Sequence, residues 1–430
     1  EGPSLLVNRA RIVGDDRVAG NGIVHMIDRI LELPDRLLGE LDRRRDLSDF
    51  RLWLSRTPPV KSALDEKTGF TVFAPPGSTL SDSLTAIERR YLVHPYGQAD
   101  LVQLMQAHVV PEVIYHQDLV DNPRIVSTLT GNQLALSLDP KSQMLLVNDT
   151  LVLTQDQLAN NGVIHTLPGP IPPESLVFTT EKYLVGLNAT RFVNLMRDNG
   201  LSDYLTVPQG DSPLTVLAPT NEAFDTYMDG LPAPGTWQLR EFLLYHLLSA
   251  QYPLDTLPNG EFLASCLEPD EMAGRAQLVY ATKDKQSDQG GAPSTYISFN
   301  HVTAGGQPVT FNQVTIYLLN SPLTPPTDLL QTVVRDLSYS NFLSVLYSSQ
   351  LQYPIRNAKD VTYLVPSNQA FQNLDLALSY LLLAEAQDDL RTFMRSLVIQ
   401  QAVYAYRLRN ETELVCLHTL ADTYVALAPV

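Results

Sequence analysis

The chain has 430 residues, of which 44% are hydrophobic, and a formal net charge of −17. This length favours about three domains, and the hydrophobic fraction allows each of them to bury a core. A chain this acidic repels phosphate backbones, which argues against a nucleic-acid partner.

The first 33 residues carry the pattern with which a domain ends. Leu5-Leu6-Val7-Asn8 is followed by Asn21-Gly22-Ile23-Val24-His25, and an Asn-Gly turn before an apolar run predicts a strand. The same two motifs recur about 140 residues later, at 145–148 and 161–165. We therefore interpret residues 1–33 as the C-terminal remnant of a domain, and the chain as a fragment or a processed form.

One apolar stretch occurs three times and sets the domain period. Its β-branched and aromatic residues are typical of a strand covered on both faces, and a proline, which has no N–H for the sheet, ends each copy. The copies lie about 145 residues apart, which is a domain period and too long for a solenoid repeat. The three copies are Phe70–Pro75, Leu214–Pro219 and Val361–Pro366. We expect a structural role for Pro75, Pro219 and Pro366.

The order of elements predicts three domains after the leading remnant. Each begins with helices, reaches the repeated strand and continues to a later amphipathic helix. Proline-rich stretches at 168–173 and 322–326 separate the domains. The domains are predicted to span residues 34–173, 174–325 and 326–430. The later helices are predicted at residues 101–110, 239–248 and 390–398. The last domain shows no closing motif, so it is predicted to be C-terminally incomplete, with an unpaired strand edge.

Four histidines fall in apolar elements. His25 and His165 lie in the two closing strands, and His108 and His246 end the later helices of their domains. A buried ring that is hydrogen-bonded to the backbone explains this pattern, so these histidines are predicted to be structural. Leu397 occupies the corresponding place in the third domain.

Three spaced motifs resemble the fasciclin-type domain. Thr215–Phe224 is similar to its Thr-Val-Phe-Ala-Pro-Thr-Asn-x-Ala-Phe segment, and Tyr245-His246-Leu247 to its later Tyr-His motif. Residues 147–148 with 161–165 are similar to its closing motif. The resemblance implies tandem α+β domains, each a wedge of β-sheets with flanking α-helices. This chain departs from the family pattern at Pro76-Gly77, Tyr317 and Leu397.

The resemblance also implies a function. Members are secreted, surface-bound or vacuolar, often glycosylated, and associated with adhesion and not with catalysis; the degenerate copies look most similar to large fungal members. In some members the Tyr-His segment is linked to receptor binding, so Tyr245 and His246 are candidate partner-binding residues. If both are buried, they would shape the surface instead. The sequons at Asn148, Asn188 and Asn410 are candidate glycosylation sites.

The sequence shows no catalytic signature. A Gly-x-Ser-x-Gly elbow, a His-Glu-x-x-His helix and a phosphate-binding loop are all missing, and no cofactor or metal is predicted. Cys266 and Cys416 exclude a disulfide-rich scaffold and a four-thiolate zinc site; they are either free thiols or an inter-domain bridge. The sequence contains no run of about 18 apolar residues, so no transmembrane segment is predicted.

The sequence is compatible with two functions. The first is a non-enzymatic adhesion or scaffold segment of the secretory pathway, the cell surface or a vacuole, which binds proteins or glycans through repeated domains. The alternative is a luminal carrier, which holds a small apolar ligand in a pocket between sheet and helices.

Overall fold

The computed structural model describes residues 6–7, 10–31, 33–66, 69–120, 122–206, 213–227, 230–286, 294–374, 376–404 and 415–427. The chain forms two compact units, Glu1–Leu187 and Asn188–Val430. None of the helices in the described residues is long and apolar enough to cross a membrane. We call residues 1–33 the leading segment, and residues 34–173, 174–325 and 326–430 the first, second and third modules.

The leading segment consists of two short antiparallel hairpins. Its strands are β1 (Leu6–Val7), β2 (Ala10–Arg11), β3 (Arg17–Ala19) and β4 (Gly22–Val24). Strand β1 pairs with β2, and β3 pairs with β4. All residues of β3 and β4 are exposed.

The described residues of the first module form six α-helices and eight strands. The helices are α1 (Leu37–Arg43), α2 (Ser48–Ser55), α3 (Pro58–Glu66), α4 (Thr79–Asp82), α5 (Ala86–Val93) and α6 (Gln98–Gln106). The strands are β5 (Phe70–Ala74), β6 (Val109–Val110), β7 (Arg124–Ser127), β8 (Gln133–Leu138), β9 (Leu145–Val147), β10 (Thr150–Leu151), β11 (Thr154–Ala159) and β12 (Gly162–Thr166).

Two four-stranded sheets enclose the core of the first module. One has the strand order β11-β12-β5-β6, with β12 parallel to β5, and the other is antiparallel with the order β10-β9-β8-β7. Every residue of β5 and β12 is buried. Side chains from both sheets, such as Phe73, Leu136 and Val147, meet in one apolar cluster. Packing on both faces explains why the repeated stretch has no polar side.

The described residues of the second module form four α-helices and one seven-stranded sheet. Its helices are α7 (Thr180–Gly186), α8 (Thr190–Asp198), α9 (Asn221–Thr226) and α10 (Trp237–Tyr245). Its strands are β13 (Leu214–Pro219), β14 (Leu247–Leu248), β15 (Glu261–Ala264), β16 (Leu278–Gln286), β17 (Ser294–Phe299), β18 (Val302–Phe311) and β19 (Val314–Leu319). The sheet order is β14-β13-β19-β18-β17-β16-β15, with β13 parallel to β19.

The third module repeats the helical half of the first one. Its helices are α11 (Leu329–Val334), α12 (Ser340–Ser348), α13 (Gln352–Arg356), α14 (Asn368–Gln372), α15 (Leu376–Leu381) and α16 (Gln387–Ser396). Its strands are β20 (Thr362–Tyr363), β21 (Val398–Ile399), β22 (Val415–His418) and β23 (Tyr424–Leu427). Strand β20 pairs with β21, and β22 with β23.

Side-chain caps begin the helices where the sequence places Ser or Thr. The Thr220 hydroxyl accepts from the N–H of Ala223 at the start of α9, and the Ser367 hydroxyl accepts from Ala370 at the start of α14. Such caps satisfy N–H groups that have no partner within the helix. Helix α5, which follows the departure at Pro76-Gly77, has a capping box between Thr85 and Glu88.

Helix α7 belongs to the first compact unit and packs against α5. The Tyr183 hydroxyl donates to Glu88 at 2.7 Å, and the Lys182 ammonium lies 2.6 Å from an Asp100 carboxylate oxygen. Phe178 contacts the rings of Tyr91 and Tyr183. The domain boundary at 173/174 stays a prediction, and the compact unit extends beyond it to Leu187.

The α+β class with tandem domains is confirmed, and three local predictions need correction. The stretch Val361–Pro366 forms a strand only at Thr362–Tyr363, and its residues are partly exposed. His25 lies after β4 and is exposed, with Nδ1 2.9 Å from an Asp16 carboxylate oxygen. Strands β5 and β12 are buried because they lie side by side as a parallel pair. In the described residues neither β4, which precedes His25, nor β20 has a parallel neighbour. The later helices predicted at 101–110, 239–248 and 390–398 each begin and end earlier, because Val109–Val110, Leu247–Leu248 and Val398–Ile399 are already strands.

Candidate functional site

In each module a threonine of the repeated strand hydrogen-bonds to the backbone of a distant loop. The Thr71 hydroxyl donates to the carbonyl of Glu112 at 2.7 Å and accepts from the N–H of Ile114 at 2.9 Å. The hydroxyls of Thr215 and Thr362 make the same two bonds, with distances of 2.7 to 2.9 Å. In every module this residue connects the central strand to the loop that follows the later helix. Sequence reasoning missed it, although a threonine at the second position of all three stretches was the available signal.

His108 and His246 occupy equivalent buried positions at the ends of α6 and α10. Nδ1 of His108 donates to the carbonyl of Leu104 at 2.8 Å, and its Nε2 accepts from the N–H of Ile171 at 3.0 Å. His246 bonds likewise to Phe242 and Leu323, at 2.7 and 2.9 Å.

These contacts define the charge state of both rings. Because Nε2 accepts a hydrogen bond, each ring is the neutral tautomer with its proton on Nδ1. Burial disfavours the charged form and lowers the pKa of His108 and of His246 to about 4. Both rings therefore hold the chain that follows the closing strand of their module.

His165 and Tyr317 make the same connection with different chemistry. Nε2 of His165 donates to the carbonyl of Ile114 at 2.9 Å, while Nδ1 accepts from the N–H of Asp156 at 3.2 Å. In the second module the Tyr317 hydroxyl donates to the carbonyl of Tyr252 at 2.9 Å. Ile114 and Tyr252 are the residues whose N–H groups bond to the central threonines. The departure from the family pattern at Tyr317 therefore preserves the hydrogen bond that closes the module.

A second histidine and a carboxylate lie beside His165. His116 bonds through Nδ1 to Asp156, whose other carboxylate oxygen accepts from the His116 N–H at 3.0 Å. Burial lowers the pKa of His165, and the nearby Asp156 carboxylate opposes that shift. Asp156 has a positive φ of 53°. It lies where the pairing of β11 with β12 shifts register, between Thr154 and Gln157.

The described buried histidines leave no ring nitrogen for chemistry. In His108, His165 and His246 both ring nitrogens bond to backbone groups. A general base needs a nitrogen that can reach a substrate proton. Within the described part of the chain, no group of three or more His, Cys, Asp or Glu side chains could hold a metal ion.

Tyr245 and His246 both lie inside the second module. Tyr245 is 1% exposed; its hydroxyl donates to the carbonyl of Leu278 and accepts from the side-chain amide of Asn300. Burial raises the pKa of Tyr245 to about 12. His246 is fully buried. A partner would therefore contact the surface that these residues support, and not the two side chains themselves.

The glycosylation candidates differ in their surroundings. Asn148 is exposed, and its side-chain oxygen accepts from the N–H of Ala135 at 2.9 Å. Asn188 is also exposed, and its side-chain NH₂ donates to Glu222 at 2.8 Å. Asn410 lies outside the described residues. Glycan attachment at all three stays a prediction.

The two cysteines are free thiols. Cys416 is exposed, whereas Cys266 is partly buried, and burial raises the pKa of its thiol to about 11. The inter-domain bridge that was one of the two alternatives is not formed.

The outer helices of the first module enclose two open grooves. One, of about 530 Å³, lies among α1, α2 and α3 and is lined by Leu38, Leu52 and Lys61 among others. The second, of about 420 Å³, lies between α2 and α5 and is lined by Leu52, Arg56 and Arg90 among others. Neither groove lies in the apolar core between the two sheets.

Comparisons with known proteins agree with this architecture. The family model described as "Fasciclin domain" matches residues 45–173, 187–325 and 337–426. The chain is 27% identical to periostin of Homo sapiens over 86% of this chain and 41% of periostin. It is 24% identical to transforming growth factor-beta-induced protein ig-h3 of Oryctolagus cuniculus over 86% of this chain and 50% of that protein.

A fungal protein is also similar over a shorter range. The fasciclin-like arabinogalactan protein of Arthroderma benhamiae is 32% identical over 36% of this chain and 34% of its own length. The chain thus spans about half or less of the length of these curated relatives. The family model covers most of the chain in three consecutive matches. The chain therefore belongs to the fasciclin domain family.

Proposed function

We propose that this chain is a non-enzymatic adhesion or scaffold segment that binds proteins or glycans through its tandem modules. The observation that carries the proposal is the repetition of one interior. The same threonine bonds occur in all three modules, and the buried histidine or tyrosine bonds recur in the first two. Repetition of a rigid module multiplies weak contacts, and multivalency then raises the overall affinity.

The chemistry of the interior favours binding over catalysis. Both ring nitrogens of each described buried histidine are used by the backbone, and the partly buried thiol of Cys266 has a raised pKa. Covalent catalysis needs a nucleophile beside an available base. We therefore place the function on the outer surfaces of the modules.

The groove between α2 and α5 is our candidate contact surface in the first module. Leu52 is 53% exposed there, and Arg56 and Arg90 line the same groove. Neither arginine forms an ion pair with the described residues. Apolar area flanked by unpaired guanidinium groups suits an acidic glycan or an acidic peptide segment, because Arg binds carboxylates in a bidentate manner.

Family membership supports a location in the secretory pathway, at the cell surface or in a vacuole. The fungal relative is named an arabinogalactan protein, which is consistent with glycosylation at Asn148, Asn188 and Asn410 in this chain. Peptide mapping of the secreted chain, with and without deglycosylation, would test each of the three sites.

Binding measurements can test the proposal directly. The whole chain and its two compact units, residues 1–187 and 188–430, would be immobilised at equal molar density and exposed to arrays of acidic and neutral glycans and to purified matrix proteins. We expect the whole chain to retain its ligand about 100-fold more strongly than either unit, which is the scale of avidity. The substitutions Arg56→Ala and Arg90→Ala should reduce retention by the first unit, and Arg29→Ala, which removes an exposed arginine outside the groove, should not. Equal retention by both units and the whole chain would refute the multivalent mechanism.

A further inference from the structure

The groove between α2 and α5 of the first module has a preformed floor. The indole N–H of Trp53 donates to the Ser81 hydroxyl at 3.2 Å, and that hydroxyl donates to the Asp49 carboxylate. Arg89 of α5 donates to the carbonyls of Ser81 and Leu84, the latter at 2.7 Å. These bonds connect α2 to α4 and α4 to α5, so little ordering is required when a ligand enters the groove.

Two guanidinium groups at this groove have no carboxylate partner. Arg56 and Arg90 line the groove and are exposed, and neither forms an ion pair with the described residues. Arg43, Arg51 and Arg124 of the same module each lie within 3.5 Å of a carboxylate oxygen. In a chain with 47 acidic and 30 basic residues, two free guanidinium groups in one groove form a site for carboxylates from outside the chain.

Each of these arginines is accompanied by an exposed aliphatic side chain. Leu52, four residues before Arg56, is 53% exposed, and Val93, three residues after Arg90, is 44% exposed. Residues three or four apart are neighbours on one face of a helix. Each helix therefore presents one aliphatic and one cationic group to the groove.

The aliphatic side chains favour a protein segment over a glycan. An apolar side chain inserted between Leu52 and Val93 removes apolar surface from water on both sides. A glycan would place hydroxyl groups against them, and the burial of polar groups without hydrogen bonds is unfavourable. Among the described residues that line the groove, the only aromatic ring is that of Trp53, which is 5% exposed. A sugar ring therefore has no exposed aromatic face on which to stack.

The corresponding surfaces of the other modules are different. Helix α2 corresponds to α8 and α12, in which the equivalent buried residues are Phe50, Phe192 and Phe342. In this alignment Asp198 and Ser348 take the place of Arg56, and Ser344 takes the place of Leu52 in the third module. The same fold thus accepts an acidic or a small polar residue at the arginine position. Arg56 is therefore not required for folding, and its role lies at the surface.

We propose that this groove binds an acidic segment of a partner protein, in which an apolar side chain lies between two carboxylates. The apolar side chain inserts between Leu52 and Val93, and the carboxylates bond to Arg56 and Arg90, whose guanidinium groups suit bidentate contact. The Asp49 carboxylate repels an anion from the floor, so the acidic side chains stay at the rim. The inference rests on the function proposed above for this groove, and it names the partner as a peptide and not a glycan.

Fluorescence anisotropy with defined peptides tests the pattern that the groove recognises. The probes are labelled peptides in which one to three Ser or Gly residues separate a central Leu from a Glu on either side. We expect the best spacing to bind the 430-residue chain. Matched peptides with Gln in place of Glu, or with Ser in place of Leu, should bind at least about 10-fold more weakly.

Matched variants of the chain locate the contact. Arg56→Gln, Arg90→Gln and Leu52→Ser should each weaken binding of the best peptide by about 10-fold. Arg45→Gln removes an exposed arginine of the same module outside the groove and should change binding by less than about twofold. The double variant Arg56→Glu/Arg90→Glu should bind the peptide in which Lys replaces both Glu residues. A chain that had merely lost its fold would bind neither peptide.

Two further measurements separate this inference from the function on which it rests. Oligogalacturonate, an acidic glycan, is tested on the same variants. If it binds through Arg56 and Arg90 while no peptide binds, the peptide assignment is overturned and the adhesion proposal stands. Sedimentation velocity that shows self-association abolished by Arg56→Gln would place a second copy in the groove and would also overturn the assignment. Peptide binding that is unaffected by all three groove variants would refute the groove as the site.

Discussion

Acidification is expected to destabilise the first module through His108 and the second through His246. Each ring is neutral and fully buried, and Nε2 accepts a backbone N–H. A proton added to Nε2 would face that N–H and place an unpaired charge in the core. Folding therefore requires both rings to be neutral, and the pKa of His108 and of His246 falls to about 4 in the folded state.

The sign and size of the effect follow from proton linkage. Between the unfolded pKa of about 6.5 and the folded pKa of about 4, the unfolded chain binds more protons, so stability falls as pH falls. Full stability is present above pH 6.5. At pH 5 the loss amounts to about 2 kcal/mol for each ring, and it approaches about 3 kcal/mol at pH 4.

The substitution His108→Gln isolates this contribution. The glutamine carbonyl can still accept from the N–H of Ile171 but cannot titrate, so the variant should be less stable at pH 7 by about 1 kcal/mol. Its further loss between pH 7 and pH 5 should be about 2 kcal/mol smaller than that of the unsubstituted chain. Urea unfolding at both pH values measures this difference.

A control and a direct titration complete the test. His301→Asn removes an exposed histidine at a positive φ that asparagine tolerates, and it should leave the pH dependence unchanged. Histidine NMR titration should find the His108 ring neutral, with the proton on Nδ1, down to the onset of unfolding. A His108 ring that titrates near pH 6.5 in the folded chain would refute the reasoning.

Three further outcomes can be checked separately. Thr71→Val should destabilise the first module by about 1–3 kcal/mol in urea unfolding, because the N–H of Ile114 and a carbonyl lose their partner. Tyr317→Phe should lower the unfolding free energy of the second module by about 1 kcal/mol, and an unchanged midpoint would contradict the hydrogen bond to the backbone. At pH 7.5 a maleimide should label Cys416 rapidly and Cys266 only on unfolding, which peptide mass spectrometry can follow.

The repeats could be predicted from sequence because packing on both faces leaves little freedom. The strands Phe70–Ala74 and Leu214–Pro219 are buried at every position, so only apolar and β-branched residues fit. The capped starts of α9 and α14 were also accessible from the sequence, since a Ser or Thr directly precedes the first helical residue.

The hydrogen bonds made by Thr71, His165 and Tyr317 could not be predicted from the sequence in the same way. Thr71 resembles any other β-branched strand residue, and its partners Glu112 and Ile114 lie about 40 residues away in a loop. The equivalence of His165 and Tyr317 was hidden as well, since the two residues share no sequence pattern. A hydrogen bond to a fixed carbonyl requires only a donor of suitable reach, and that requirement is visible only in the folded chain.

His25 shows that a motif alone does not bury a residue. Its sequence context matches that of His165, yet its ring is exposed and faces Asp16. The difference comes from the neighbouring strand: β12 lies between β11 and β5, whereas β4 pairs only with β3 among the described residues. The weak definition of Val361–Pro366 has the same origin, because a two-residue pairing gives a strand little support.

The first module has His165 where the second has Tyr317. This difference keeps the hydrogen bond of the family motif but changes the response to pH. Both side chains close their module by donating to the backbone carbonyl at the equivalent position, that of Ile114 or of Tyr252, so the mechanical role is kept. Their responses to pH are opposite. Burial lowers the pKa of His165 toward the acidic range, while it raises the pKa of Tyr317 further above neutrality. Among the described residues, the first module therefore contains two buried rings that oppose protonation, His108 and His165, and the second contains one, His246. For this reason acidification from pH 7 should reduce the unfolding free energy of the first module more than that of the second, which urea unfolding of the chain at several pH values can measure.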